Sequence, residues 1–186
     1  MLIGITGKAG SGKDTVADFF ALQYEFEKAA FANHLKDVTA LAFGIDKIHF
    51  HNQELKTKKH PIFGITPREM IQKVGTECFR RIFDDNFWVN HVDTLYKQAL
   101  NKGTHFIVSD CRFENEVMWV RNNGGIILNV SNPKVDDIVL NNHSSELGVH
   151  KDLIDYTIDN DESIAILYTK LEELSKEIQE QYQEQW

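Results

Sequence analysis

Apolar residues along this chain fall into two patterns. Short continuous runs, Leu2-Ile3-Gly4-Ile5-Thr6, the stretch 105–110 and Ile126-Ile127-Leu128-Asn129-Val130, predict buried strands. Residues 26–31 read as a second strand despite their alanines, and Tyr156-Thr157-Ile158 as a short last one. Between the runs, apolar positions recur at helical spacing. Val16, Phe19 and Phe20 face inward on a helix over 13–24, and a helix over 35–43 stops near Gly44. Thr66-Pro67-Arg68-Glu69 is a helix start: Thr66 caps, Pro67 suits the first position and Glu69 closes a capping box. The stripe Ile71, Val74, Cys78, Ile82 then predicts the buried face of that helix. Further helices are expected over 86–100, stopping at Gly103, and over 114–122, ending at Gly124-Gly125. The tail carries Ile164, Leu167, Leu171, Leu174 and Ile178, an amphipathic stripe best read as core packing, though its heptad-like spacing leaves a homodimer contact open. Residues 45–63 and 131–150 read as irregular. Strands alternating with helices predict an α/β fold in three layers, a central mostly parallel sheet flanked by helices.

Composition narrows the partners. The 186 residues, 42% hydrophobic, suit one domain with a sizeable core. The net charge of −8 and a pI near 5.4 disfavour a nucleic-acid partner, because phosphate contacts need basic surface. Cys78 and Cys111 form neither a zinc pattern nor a disulfide framework, which points to a reducing cytoplasm. No signal peptide is expected, since the apolar start is short and lacks a basic flank, and no apolar run approaches a membrane span.

The chemistry starts directly after the first strand, with Gly7-Lys8-Ala9-Gly10-Ser11-Gly12-Lys13-Asp14-Thr15. This is nearly the phosphate-loop pattern, and it stands where that mechanism needs it, between a strand and a helix. Gly10, Ser11 and Gly12 would shape a nest of backbone N–H groups for phosphate oxygens, and the helix end adds a favourable dipole. Lys13 would reach the β- and γ-phosphates of ATP. Asp14 stands where a hydroxyl is usual. A carboxylate is a harder, charged ligand for Mg²⁺, with Thr15 keeping a hydroxyl close to the α-phosphate, whereas the bland alternative is an acid favouring the first helical turn. Asp110 ends an apolar strand as a magnesium-holding acid does, and could instead take an acceptor proton or anchor Arg112, two residues on. Arg68 and Gln72 lie one turn apart on a shared side of the capped helix. A guanidinium suits a phosphate and an amide suits a base edge. Arg80 or Arg81 is expected to pair with Asp84 or Asp85 at the surface. His49 and His51 lack further ligands, and His143-Ser144-Ser145-Glu146 lacks the surroundings of a nucleophile.

The stretches "GKAGSGKDTVADFF", "FANHLK", "TPREMIQKVGTECFR", "FWVNH", "VSDCRFENEVMWVRNNGGIILNV" and "HSSE" together resemble the phage-type deoxynucleoside monophosphate kinases, a branch of the P-loop nucleoside monophosphate kinase superfamily. The resemblance implies a P-loop kinase fold over residues 1–186, with a helical acceptor-binding insertion at about 33–102 and a lid at about 131–147. It implies transfer of the γ-phosphoryl of ATP, with Mg²⁺, to a deoxynucleoside 5′-monophosphate, in the cytoplasm, or in the host cytoplasm for a phage protein. Lys13 would stabilise the moving phosphoryl, Arg68 and Arg112 would grip the acceptor phosphate, Gln72 would read the base, and Asp110 would position metal or acceptor. An acid after the loop lysine is usual in that family. This chain departs from it between 131 and 150, where it has no arginine and only Lys134 as a cation, so Lys134, Arg121 or a partner chain would supply the lid charge. Two other functions compete: a P-loop kinase for another small acceptor such as dephospho-coenzyme A, and an ATP-binding module that catalyses little.

Overall fold

The computed structural model describes residues 1–136 and 148–183. The described chain forms two compact units, residues 1–30 with 92–186 and residues 31–91.

The first unit is built on five parallel strands: β1 (Leu2–Thr6), β2 (Glu27–Ala29), β3 (Phe106–Val108), β4 (Ile126–Ser131) and β5 (Tyr156–Asp159), in the order β2-β3-β1-β4-β5. Every residue of β1 is buried, as a strand covered on both faces requires. Ile3 and Ile5 point to one face with Ile107, Ile126, Leu128, Val130 and Ile158. There they meet Val16, Phe19 and Phe20 of α1 (Lys13–Gln23) and Leu167, Leu171 and Ile178 of α8 (Ile164–Tyr182). Gly4 points to the other face, where an added Cβ would lie 2.9 Å from both Ile127 and Val120. That face is covered by α6 (Glu114–Asn122), and Tyr96 of α5 (Phe87–Lys102) packs on Phe106 and Trp119. The expected three-layer sandwich is therefore the observed one. Of the α8 stripe, Leu167, Leu171, Leu174 and Ile178 pack in this core, while Ile164 is 62% exposed.

Strand order fixes where a ligand can enter. From β1 the chain runs to β2 and β3 on one side, then crosses to β4 and β5 on the other. The carboxyl end of β1 is thus a topological switch point, the place where open α/β sheets bind ligands.

The second unit holds α2 (Phe31–Phe43), α3 (Ile48–His51), a 3₁₀ turn (Leu55–Thr57), α4 (Pro67–Gln72) and a π-helix (Lys73–Phe83), around Ala40, Ile45, Phe50 and Met70. Thr66 Oγ1 accepts from Glu69 N and the Glu69 carboxylate accepts from Thr66 N, so the capping box is as expected. The stripe beyond it is not. Met70, Gly75 and Arg80 are buried at five-residue intervals, while Cys78 is exposed and Ile82 is 70% exposed. A π-helix bonds i to i+5 and holds more residues per turn, so a stripe drawn at α-helical spacing rotates off the core. Gly75 belongs at the contact because a Cβ there would stand 2.5 Å from Leu35 Cδ2, and its carbonyl accepts from Trp88 Nε1 at 3.1 Å. Arg80 does pair with Asp85, donating to its backbone oxygen at 2.7 Å and lying 3.8 Å from its exposed carboxylate, though the Arg80 side chain itself is only 4% exposed. Helix α2 begins four residues earlier than its apolar spacing suggested, at Phe31, which shortens the strand expected over 26–31.

Candidate active site

The loop between β1 and α1 owes its shape to three glycines. Gly7, Gly10 and Gly12 have φ of 137°, 85° and 103°, conformations that an L side chain rarely adopts. Space excludes a side chain as well. A Cβ on Gly7 would lie 2.4 Å from Val130 O, and one on Gly12 would lie 2.2 Å from Asn160 Nδ2. Helix α1 has no side-chain cap, and its first backbone bond runs from Val16 N to Gly12 O. Helix geometry gives the N–H groups of Lys13, Asp14 and Thr15 no intrahelical acceptor. Lys13 is buried, and its Nζ donates to Gly7 O at 2.7 Å and to Lys8 O at 2.6 Å. Ser11 is fully buried and its Oγ makes no hydrogen bond among the described residues. Positive end, buried ammonium and spare hydroxyl are the chemistry that an anion site would use.

Asp110 follows β3, the strand that pairs with β1. Cys111 N donates to Ile5 O at 2.8 Å, which pins the segment after β3 against the end of β1, and Asp110 is 8% exposed. Burial pushes the Cys111 thiol up, with the Glu116 and Asp110 carboxylates adding to it, so this cysteine is an inert packing group. Arg112 is set by Glu116, whose buried carboxylate accepts from Arg112 N at 2.7 Å and Phe113 N at 3.1 Å. Arg112 lines a cavity of about 680 Å³ together with Gly7, Lys8 and Ala9 of the loop and Asn129, Ser131 and Lys151. Residues a hundred positions apart in sequence thus share one rim.

Asp14 sits differently. Its carboxylate is 85% exposed and lies 3.6 Å from Lys28 Nζ, which also holds Asp18 at 2.7 Å. Of the two acids considered for Mg²⁺, Asp110 is the buried one. No cluster of three or more metal-binding side chains occurs among the described residues, so a divalent ion here would take phosphate and water oxygens beside a carboxylate, as Mg²⁺ commonly does. Thr15 is half-buried one residue on. Arg68 and Gln72 belong to the other unit, on α4, both half-buried. Arg121 is committed elsewhere: it donates to Leu153 O at 3.0 Å and lies 3.3 Å from Asp155, whose carboxylate accepts from Ile127 N. That pairing lies near the start of β4, where Ile127 is level with Gly4 of β1, and Asp155 lines the same cavity as Arg112. Lys134 lies in α7 (Pro133–Asp136). Most of the expected lid, with His143 to Glu146, lies outside the described residues.

Sequence reasoning passed over Asn160 and Glu116. The first carries no motif of its own. The second closes the D-x-R-F-x-N-E stretch that carries the resemblance, without a role given to it there, and stands at the third position of α6, where an acid can reach back to the backbone N–H groups before the helix.

A glycine loop at the switch point of a parallel three-layer sheet, closing on a buried lysine at a helix start, defines a P-loop fold. Solved structures agree on the fold. Dephospho-CoA kinase from Campylobacter jejuni superposes with a TM-score of 0.53 at 14% identity, covering 97% of this chain and 98% of that one. TT1252 from Thermus thermophilus does so with 0.52 at 16%, covering 95% and 97%. The family model for deoxynucleotide monophosphate kinase matches residues 51–171. A protein of Acanthamoeba polyphaga mimivirus named "Putative deoxynucleotide monophosphate kinase" is 29% identical over 92% of this chain and 94% of its own. The deoxynucleotide monophosphate kinase of Enterobacteria phage T4 is 24% identical over 94% and 98%. The chain belongs to the deoxynucleotide monophosphate kinase family. It is a phosphotransferase with a small nucleotide substrate, and neither a coenzyme A precursor kinase nor an idle nucleotide-binding module is favoured. No helix among the described residues is long and apolar enough to cross a membrane.

Proposed function

We propose that this chain transfers the γ-phosphoryl of ATP to the 5′-phosphate of a deoxynucleoside monophosphate. The observation that carries the donor half is the loop itself, with three positive-φ glycines turned around a buried Lys13. Polyphosphate oxygens would replace Gly7 O and Lys8 O as acceptors for Lys13 Nζ, and the N–H groups of Lys13 to Thr15 would face them. Lys13 then follows the charge as the phosphoryl moves, and most of the catalysis is positioning and electrostatic stabilisation. Mg²⁺, held with the help of Asp110, would neutralise phosphate charge. Asp14, turned toward Lys28, would act on it through water. Arg112 would bring a bidentate cation to the acceptor phosphate, its backbone set by Glu116. Arg68 would hold the same phosphate and Gln72 would read the base, from an acceptor-binding insertion at about 33–102, with a lid at about 131–147.

A coupled assay for ADP release with each deoxynucleoside monophosphate in turn tests the reading. Stimulation by at least one of them is expected, and ATP binding with no stimulation by any would overturn it. Arg68→Ala should raise the acceptor KM more than that of ATP, and the reverse order would remove Arg68 from the acceptor site.

A further inference from the structure

Asn160 follows β5 and was singled out by no motif, yet it touches the glycine loop. Its Nδ2 donates to Ser11 O at 2.8 Å, and the same atom stands 2.2 Å from where a Gly12 Cβ would be. Its own backbone is fixed, because Asn160 N donates to Ser131 O at 2.8 Å and Lys170 Nζ donates to the preceding carbonyl, Asp159 O, at 3.0 Å. A peptide group is planar and trans, so its C=O and N–H point in opposite directions. Holding Ser11 O on the Asn160 amide therefore aims the Gly12 N–H away from Asn160. Gly12 has no Cβ to resist a flip of this peptide, and a flip would turn a carbonyl oxygen where an anion needs a donor. We propose that Asn160 is a positioning residue for the phosphate loop: its amide locks the Ser11–Gly12 peptide with the N–H presented to the donor polyphosphate. This inference rests on the reading of the loop as the ATP site.

Two variants test it. Asn160→Asp keeps the shape but sets an acceptor against the Ser11 carbonyl, and Asn160→Ala removes the donor alone. Binding of ATP and of inorganic pyrophosphate is measured by calorimetry, melting temperature by circular dichroism, and the Gly12 amide by ¹⁵N NMR with added pyrophosphate. Loss of one oriented hydrogen bond predicts affinity for both ligands about tenfold weaker in Asn160→Ala and weaker still in Asn160→Asp. The acceptor KM should stay near wild type, and the Gly12 amide should lose its response to pyrophosphate. Unchanged affinities, or losses fully matched by unfolding in both variants, would overturn the inference. Wild-type protein that binds neither ligand would overturn the ATP reading along with it. Wild-type binding with an indifferent Asn160→Asp overturns the positioning role alone.

Discussion

Glu116→Ala gives the sharpest test of how the rim is held. The Glu116 side chain is buried, and one carboxylate oxygen accepts from two consecutive backbone nitrogens, Arg112 N at 2.7 Å and Phe113 N at 3.1 Å. Truncation leaves both donors facing an apolar gap. Each unsatisfied buried donor costs about 1–3 kcal/mol, and the bonds lost are charge-assisted, so a destabilisation of about 3–5 kcal/mol is expected. For a chain of this length that lowers Tm by roughly 6–20 °C. Glu116→Gln keeps an oxygen in reach and should lose only about 1–2 kcal/mol. Thermal and urea unfolding measure the stability change. Steady-state kinetics on the surviving fold should show a fall in kcat/KM for the acceptor larger than that for ATP, because Arg112 loses its anchor. A Glu116→Ala protein within about 1 kcal/mol of wild type, with Glu116→Gln equal to it, would refute the reasoning.

Three other perturbations have definite expectations. Gly75→Ala drives a methyl to within 2.5 Å of Leu35 Cδ2 and should cost about 1–3 kcal/mol by overpacking, read from chemical unfolding; a neutral result would mean the π-helix yields there. His91 stacks on His34 at 4.3 Å, and burial, with the His34 charge, pushes its pKa down. Its neutral form is thus favoured in the fold, so its stabilising contribution is complete above the unfolded value near pH 6.5 and is lost as pH falls through the lower folded value. Melting temperatures from pH 7.5 to 5 should fall more steeply in wild type than in His91→Gln, and parallel curves would count against it. Asp110→Asn should reduce turnover at saturating Mg²⁺ by about a hundredfold or more, whereas Asp14→Ala should chiefly raise the Mg²⁺ concentration needed. An unchanged Mg²⁺ requirement and rate in Asp14→Ala would end its metal role.

Much of the donor side of this protein was legible in one contiguous stretch. Positive-φ glycines, a lysine at a helix start and a preceding buried strand are local properties, so residues 2–20 carry their own instructions. The capping box at Thr66 and the glycine ending α6 were legible for the same reason. What could not be read locally was who stands next to whom. Apolar runs say that strands are buried on both faces, but nothing in them sets the order β2-β3-β1-β4-β5. That order brings Asn160 and Val130 onto the loop, seats Arg112 at its rim and ties Arg121 to Asp155. The π-helix was hidden too: the sequence carries a serviceable α-helical stripe, and the five-residue register of Met70, Gly75 and Arg80 is selected by packing against Leu35 and Trp88. Backbone chemistry within a few residues is written in the chain, while contacts across many residues are decided by which surfaces the whole fold can bury together.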